Sequence, residues 1–453
     1  MPAATNKEPA VRAAHNTCNL CAPLGASLAF RGIADTVPLL HGSQGCSTYI
    51  RRYLIGHFRE PVDIASSSFG ESAAIFGGRD NFIKAVQSIV DQYDPRIIGV
   101  ATTCLSETIG DDVSMYIREY LQDQTRDTPL IVAVSTPSYR GSYSDGFHDA
   151  VRAIIAALAG MRAAGEQVNV FPGMLSPEDM RQLKGILADF HLPAAIMPDY
   201  SDTLDGGPWE EYQTLPSGGA SIKSIRSAGG ARATIEFGRT LNHRTSAGSV
   251  LQDCFSVKLY RTGTPIGIRE TDSLFSTLET ISQRPTPDHY KMQRERLIDA
   301  YVDGHKYVFG KRAIVIGEAD LVVGLASFLS EIGVLPVVCA TGCSGNRFTE
   351  TVQSIISDQN CDPIILENAD FARIEELIPR IKPDMLIGYG KSYFLARKYD
   401  LPLVRVGFPI QDRFGAQRML HIGYEGALRL FDTIVNTLIE RNQRVSGPGY
   451  MTY

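Results

Sequence analysis

Eight cysteines are the residues of this chain with the most chemistry to offer, and their placement divides them. Cys21 opens CAPLGA (Cys21–Ala26), where Pro23 and the apolar residues after it predict a helix starting just beyond the thiol. Cys46 closes TVPLLHGSQGC, a strand followed by a Gly-containing turn. Cys104 follows RIIGVATT (Arg96–Thr103) and precedes LSETIGDDV, a strand end leading into another helix start. These thiols therefore fall at strand ends or helix starts, on one expected edge of one domain. Free N–H groups and the helix dipole there lower a thiol's pKa and suit an anionic cluster. Thiolates select iron–sulfur clusters or zinc, and the glycines beside Cys46 would let backbone come close to inorganic sulfide.

Spacing alone leaves a second reading open, in which the same thiols are small buried hydrophobes, as free cysteines often are. Zinc fits less well. Structural zinc sites draw paired thiols from local knuckles, and Cys18-x-x-Cys21 has no second C-x-x-C to complete it. A thioredoxin-like motif would need a preceding strand in a βαβ unit, which is absent. Cys254, Cys339, Cys343 and Cys361 are scattered later in the chain and are expected to pack in cores. Cys18 stays undecided between ligand and core residue. GYGKSY (Gly388–Tyr393) ends like a phosphate loop, but Met385 stands where that loop needs glycine. ATGCSGN (Ala340–Asn346) reads as a strand-to-helix connection. Position marks neither His41 nor His57 as a ligand.

The elements that must hold these residues come from hydrophobic patterning. Short β-branched runs alternate with helical stretches, the pattern of parallel α/β units. Strands are expected at Arg96–Thr103, Pro129–Val134, Val168–Phe171, Ala194–Met197, Ala313–Ile316, Pro336–Val338, Asp362–Leu366, Asp384–Ile387 and Leu403–Val406. Helices are expected at Gly146–Leu158, Ser176–Phe190, Leu321–Ile332 and Phe371–Ile378. Polar stretches at Arg162–Gln167 and Gln283–Tyr307 are the expected joints, and Asp205–Gly219, with two GG pairs and a proline, reads as a long loop. The length of 453 residues accommodates about three domains. They are placed at 1–164 (the thiol-bearing α/β domain), 165–300 (a second α/β domain) and 301–453 (a third with C-terminal helices). With 44% hydrophobic and 21% charged residues the chain is neither disordered nor fibrous. A net charge of −6 argues against nucleic acid as a partner. The apolar stretch Ile154–Gly160 is far short of the roughly 20 residues of a membrane span. The N-terminus lacks the apolar core of a signal peptide, so the expected location is cytoplasmic.

At HGSQGCSTYIRRYLIGHFREPVDIASSSFGESAAIFGG (His41–Gly78) the chain resembles the β-type subunit of nitrogenase component 1, with its relatives among cofactor-assembly scaffolds and nitrogenase-like reductases. The resemblance continues through CAPLGA, TTCLSETIGDD (Thr102–Asp112) and TPSYRGS (Thr136–Ser142). It returns in TPIGIRETD (Thr264–Asp272), DGHKYVFGKRAIVIGEADLVVGLASFL (Asp303–Leu329) and RVGFPIQDRFG (Arg405–Gly415).

This resemblance implies an α/β fold of three Rossmann-like domains with parallel sheets, the nitrogenase component 1 fold. It also implies an α₂β₂ assembly with a homologous α-type subunit. Positions matching Cys21, Cys46 and Cys104 bind one half of an [8Fe-7S] P-cluster shared with that subunit, and Ser138 matches a serine that ligates the oxidised cluster. Related scaffold subunits keep fewer of these thiols and hold a simpler [4Fe-4S] cluster. Electrons would pass from an ATP-dependent iron–sulfur reductase through the cluster to an active-site iron–sulfur cofactor in the partner subunit. Arg59 and Glu60 match positions near a subunit-contact metal site, although a solvated charged pair at a helix end explains them more simply. Molybdenum-type β-subunits are expected to carry a longer N-terminal extension than this chain. The branch that fits best is the methylthio-alkane reductases, which cleave C–S bonds reductively. A non-catalytic scaffold and a dinitrogen-reducing β-subunit are the alternatives.

Overall fold

The computed structural model describes residues 18–446, apart from 123–127, 161–163, 244–245, 345–346 and 358–360. Its strands form three sheets. The first has the order β2-β1-β3-β4 and holds β1 (Thr36–His41), β2 (Ala65–Ser66), β3 (Ile97–Thr102) and β4 (Leu130–Val134). The second, in the order β6-β5-β7-β8, holds β5 (Val168–Phe171), β6 (Ala194–Ile196), β7 (Ala233–Phe237) and β8 (Leu259–Thr262). The third runs β11-β10-β9-β12-β13, from β9 (Arg312–Gly317), β10 (Leu335–Thr341), β11 (Ile364–Leu366), β12 (Met385–Gly388) and β13 (Leu403–Arg405). Every neighbouring pair is parallel. Three parallel sheets with helical crossovers are the α/β architecture expected of this chain.

Parallel strands buried on both faces read as continuous apolar runs, which is why most were legible in advance. In β3, alternate residues serve different cores. Ile97 and Ala101 face the large core that joins all three sheets, while Ile98 and Val100 face a smaller one under the helix Arg79–Tyr93. β7 and β8 escaped notice for a physical reason. β7 carries Glu236, buried in the sheet and satisfied by Ser246 Oγ at 2.7 Å, Gly248 N at 3.1 Å and Arg261 Nε at 3.1 Å. β8 is a half-exposed edge strand that supplies Arg261.

Gln283–Tyr307, expected as a polar joint, is mostly helical. Residues Asp288–Val308 form a helix of 21 residues that packs against the C-terminal helix Gly423–Val445. Its buried residues are Tyr290, Leu297, Gly304 and Val308, too sparse a stripe to signal a helix by periodicity. The loop expected over Asp205–Gly219 is present, with neither helix nor strand in it.

At the centre, the helix Ala22–Arg31 is buried at all ten positions and crosses the helix Tyr143–Leu158 with backbones almost touching. A Cβ on Gly25 would lie 1.7 Å from the Tyr143 carbonyl oxygen, and one on Gly146 would lie 1.9 Å from that of Ala22. Only glycine permits this approach.

His57, near the end of the helix Gln44–Phe58, ties that helix to the third sheet. Its Nδ1 accepts the Ile410 N–H at 3.0 Å, and burial lowers its pKa to about 4. An unfolded chain takes up this proton near pH 6.5, while the folded one resists it until about pH 4. Stability is therefore lost as pH falls through that interval, by about 3 kcal/mol for this one group. Denaturant titrations at pH 7 and pH 4 are expected to show a smaller acid loss in His57→Asn, which keeps an acceptor but cannot titrate. Equal losses in both proteins would refute this role.

Candidate metal centre

Each of the three thiols sits where a strand or loop enters a helix, and the local sequence explains each entry. Cys21 is the N-cap of the helix Ala22–Arg31, with extended backbone (φ −62°, ψ 138°) and Pro23 in the first turn. Its own side chain does not cap. Instead the Ala22 N–H donates to Ser138 Oγ at 3.2 Å, and Cys21 pairs with Ser142 through an isolated antiparallel bridge. Cys46 lies in the first turn of the helix Gln44–Phe58, its N–H donating to the Ser43 carbonyl at 3.2 Å and its sulfur 3.6 Å from Ser43 Oγ. Cys104 starts the helix Cys104–Ile109, whose N-cap residue Thr103 donates its N–H to Ser106 Oγ at 3.0 Å.

The fold then brings these junctions together. Ser138 Oγ accepts the N–H next to Cys21, that of Ala22, at 3.2 Å, and the Ser138 N–H donates to Cys104 Sγ at 3.2 Å. Burial raises the Cys21 pKa, the Ser138 side chain opposes it, and the neighbouring Cys104 and Cys46 add smaller increments to the rise. Cys104 is exposed, whereas Cys21 and Cys46 are half-buried. All four residues expected at the site are thus neighbours on one open edge of the first sheet.

Glycines hold the edge in shape. Gly42, between β1 and the Cys46 helix, presses against Thr103, where a Cβ would meet Oγ1 at 2.0 Å. Gly45, beside Cys46, has its nearest neighbour at 4.0 Å, so the space over that turn is clear. Among the described residues, no three His, Cys, Asp or Glu side chains converge as ligands for a single metal ion. A multi-iron cluster suits three such thiols better than mononuclear zinc, because its irons take thiolates at separate corners. The donor set fits one side of such a cluster: three thiols, a serine between two of them, and an open face.

The remaining cysteines sort themselves by burial. Cys18 is excluded from the site. It is buried, its N–H donates to Ala369 O at 3.1 Å, its carbonyl accepts the Tyr389 hydroxyl at 2.7 Å, and burial pushes its thiol up to about 12. Cys339 and Cys343 are core residues whose thiols burial likewise raises to about 12, and Cys361 is half-buried. Cys254 departs from expectation: it is exposed on the helix Ala247–Phe255 and does not pack in a core.

His41 is not a ligand. It is fully buried at the end of β1, its Nε2 lying 2.9 Å from Asp111 Oδ2. Asp111 also accepts the Tyr116 hydroxyl at 2.9 Å and the Gly78 N–H at 3.1 Å, so it anchors the loop that leads into Cys46. Arg59 caps the Cys46 helix in the left-handed conformation and donates to the Gln411 carbonyl at 3.1 Å, a contact between the first and third sheets that spacing did not indicate. Partial burial raises the Glu60 carboxyl, with Asp205 adding to the effect. Gly390–Ser392 is a single 3₁₀ turn, not a phosphate loop, and Gly342 connects β10 onward while packing on the Cys18–Asn19 backbone. Sequence reading missed Ser43 and Ser142. The Ser142-x-x-Asp145 capping box was legible in principle, and it fixes the bridge to Cys21.

Comparison with known proteins agrees with this geometry. The family model described as nitrogenase component 1 type oxidoreductase matches residues 21–439. The nitrogenase molybdenum-iron protein beta chain of Clostridium pasteurianum is 35% identical over 434 residues, covering 95% of this chain and 94% of that one. The nitrogenase vanadium-iron protein beta chain of Trichormus variabilis is 33% identical over 434 residues, covering 92% of each. A solved structure described as nitrogenase Cp1 at pH 6.5 superposes with a TM-score of 0.94 at 33% identity, over 100% of this chain and 99% of that chain.

The chain belongs to the nitrogenase component 1 type oxidoreductase family, as a β-type subunit. The coverage of the Clostridium chain corrects one expectation, since a long N-terminal extension is not a general mark of the molybdenum type. Among the described residues, no helix is long and apolar enough to cross a membrane.

Proposed function

We propose that Cys21, Cys46 and Cys104 hold one half of an interface [8Fe-7S] P-cluster, with Ser138 as a ligand when the cluster is oxidised. The observation that carries this reading is that two helix-entry thiols, Cys21 and Cys104, meet at Ser138 on an open edge, with the third, Cys46, close enough to interact electrostatically with Cys21. Three thiolates cannot complete even a cubane, so a homologous α-type subunit in an α₂β₂ assembly supplies the others. When bound, the cluster would pass electrons from an ATP-dependent iron–sulfur reductase to an iron–sulfur cofactor in the partner subunit. The chain's own part is positioning. The Ser138 N–H and the Ser43 hydroxyl lie against the Cys104 and Cys46 sulfurs, where hydrogen bonds tune a cluster's potential. A [4Fe-4S] cluster at the same thiols belongs with a scaffold role. On the same reading the complex works in the cytoplasm.

For the substrate we propose reductive C–S cleavage of methylthio-alkanes, a choice that rests on sequence resemblance. Dinitrogen reduction is the second reading, favoured by the names of the relatives. Anaerobic turnover of the two-subunit complex with its reductase and ATP, offered dimethyl sulfide and dinitrogen in parallel, decides between them. Methane with methanethiol and no ammonia is the expected result. Ammonia would replace the proposed substrate by dinitrogen. No product, with a cofactor precursor transferable to another apo-enzyme, would make the chain a scaffold.

A further inference from the structure

Five arginines close on one cleft of about 590 Å³ beside β13, an edge strand of the third sheet. Arg397 comes from the helix Tyr393–Lys398, Arg405 from the end of β13, Arg413 from the loop beyond it, and Arg441 and Arg444 from the last turns of the C-terminal helix. The cleft is distinct from the thiol edge, and nothing in the cluster reading uses it. We propose that it is a binding site for a di- or triphosphate group, free or carried by a nucleotide.

Charge supports this first. The five guanidiniums face three carboxylates, Asp400, Asp412 and Glu440, so the cleft is positive on a chain whose net charge is −6. The pairing is also uneven. Asp400 is shared by Arg441 and Arg444, the latter through Nη2 at 2.6 Å. Arg405 donates twice to Asp412 Oδ2, at 2.9 and 2.7 Å, and its guanidinium lies 5.9 Å from the centre of the Tyr393 ring. Arg397 donates to the neutral Tyr393 hydroxyl at 2.8 Å. Arg413 donates to the Asp412 backbone carbonyl at 2.6 Å and stays 3.7 Å from its carboxylate. Arg397, exposed, therefore has no carboxylate of the cleft against it, and Arg413, also exposed, only shares with Arg405 the single carboxylate of Asp412, so the two present charge that the cleft does not fully neutralise.

Shape and donor chemistry narrow the ligand class. A guanidinium offers five N–H donors in a rigid fork that fits phosphate oxygens two at a time, and each of these arginines has donors left over. The volume lies in the ordinary range for small-molecule clefts. The apolar lining is confined to a floor of half-buried residues such as Leu401 and Leu403, which offers no pocket for the aromatic or aliphatic anchor a protein partner would use. Multivalent phosphate, with its charge concentrated in a small volume, matches what remains.

Calorimetric titration of the intact two-subunit complex, without its reductase, tests the site with pyrophosphate and ATP as probes. Both are expected to bind at about 50 mM salt and to weaken several-fold by about 200 mM, as contacts to exposed charges are screened. The double variant Arg397→Ala/Arg413→Ala is expected to lose at least about tenfold in affinity, with iron content and melting temperature unchanged. Equal affinity for the two probes would mean that the site reads phosphate alone, and tighter ATP binding that it also reads the nucleoside; both support the proposal. No binding of either probe to the wild-type complex would overturn it, as would a double variant that binds like wild type. So would protection of Arg397 and Arg413 from phenylglyoxal in the ligand-free complex, which would assign the cleft to a contact with another chain.

Discussion

Cys46→Ala, produced with its partner subunit, is expected to lose the interface cluster. Iron per complex should fall by the cluster's share, and the EPR signal of the oxidised cluster should disappear. Substrate reduction should drop by at least about 100-fold, since changes one shell further out already cost 10–100-fold at metal sites. The physical case rests on position. Cys46 lies in a first helical turn, half-buried, with Ser43 Oγ 3.6 Å from its sulfur and clear space over Gly45. Removing it deletes a donor and only a partly buried contact at the margin of the main core, so the variant should fold.

Cys18→Ala provides the contrast. That thiol is buried against the third sheet, so its loss should cost about 1 kcal/mol of stability through a small cavity while iron content stays unchanged. Ser138→Ala should keep the reduced cluster and alter only the oxidised signal. A Cys46→Ala complex with wild-type iron and EPR would sink the assignment.

The second large effect is on folding. Gly25→Ala is expected to destabilise the chain by about 3 kcal/mol or more, because the added methyl would sit 1.7 Å from the Tyr143 carbonyl oxygen and neither helix can yield locally. The helix of Gly25 is buried at every position and that of Tyr143 along one face, in the core that joins the three sheets. Gly146→Ala meets the Ala22 carbonyl at 1.9 Å and should behave alike. These helices also carry Cys21 and Ser142 at their N-termini, so forcing them apart should break the Cys21–Ser142 bridge and lower iron occupancy together with the melting temperature.

The same substitution at Gly185, mid-helix with nothing within 4 Å of the new Cβ, should instead stabilise by about 0.5–1 kcal/mol through backbone entropy. Opposite signs at Gly25 and Gly185 in thermal or denaturant unfolding would establish that close approach, not helix propensity, governs the first. A neutral Gly25→Ala would refute the packing argument.

Much of this molecule was written locally in its sequence. Strands such as Ile97–Thr102 and Arg312–Gly317 declare themselves because a strand buried on both faces must be apolar throughout, and that needs no knowledge of its neighbours. Cys21, Cys46 and Cys104 could be placed at helix entries for the same reason, since Pro23, the Gly42–Gly45 turn and Thr103 are signals within a few residues of each cysteine. Where burial of charge or sparse contact replaced periodicity, local reading failed, as at Glu236 in β7 and along Asp288–Val308.

The tertiary structure decided which cysteines matter together. Cys18 and Cys21 differ by three positions, yet one turns into the third sheet beneath Tyr389 and the other faces Ser138 on the open edge. That division depends on two helix backbones meeting at Gly25 and Gly146 and on Ser138 reaching across 34 residues to Cys104. Likewise, Arg397 and Arg444 are charged surface residues in the sequence and share a cleft only because the C-terminal helix returns alongside β13. Local sequence determines what each segment is, because propensity and capping act over a few residues. Which segments meet is settled by packing across the whole chain.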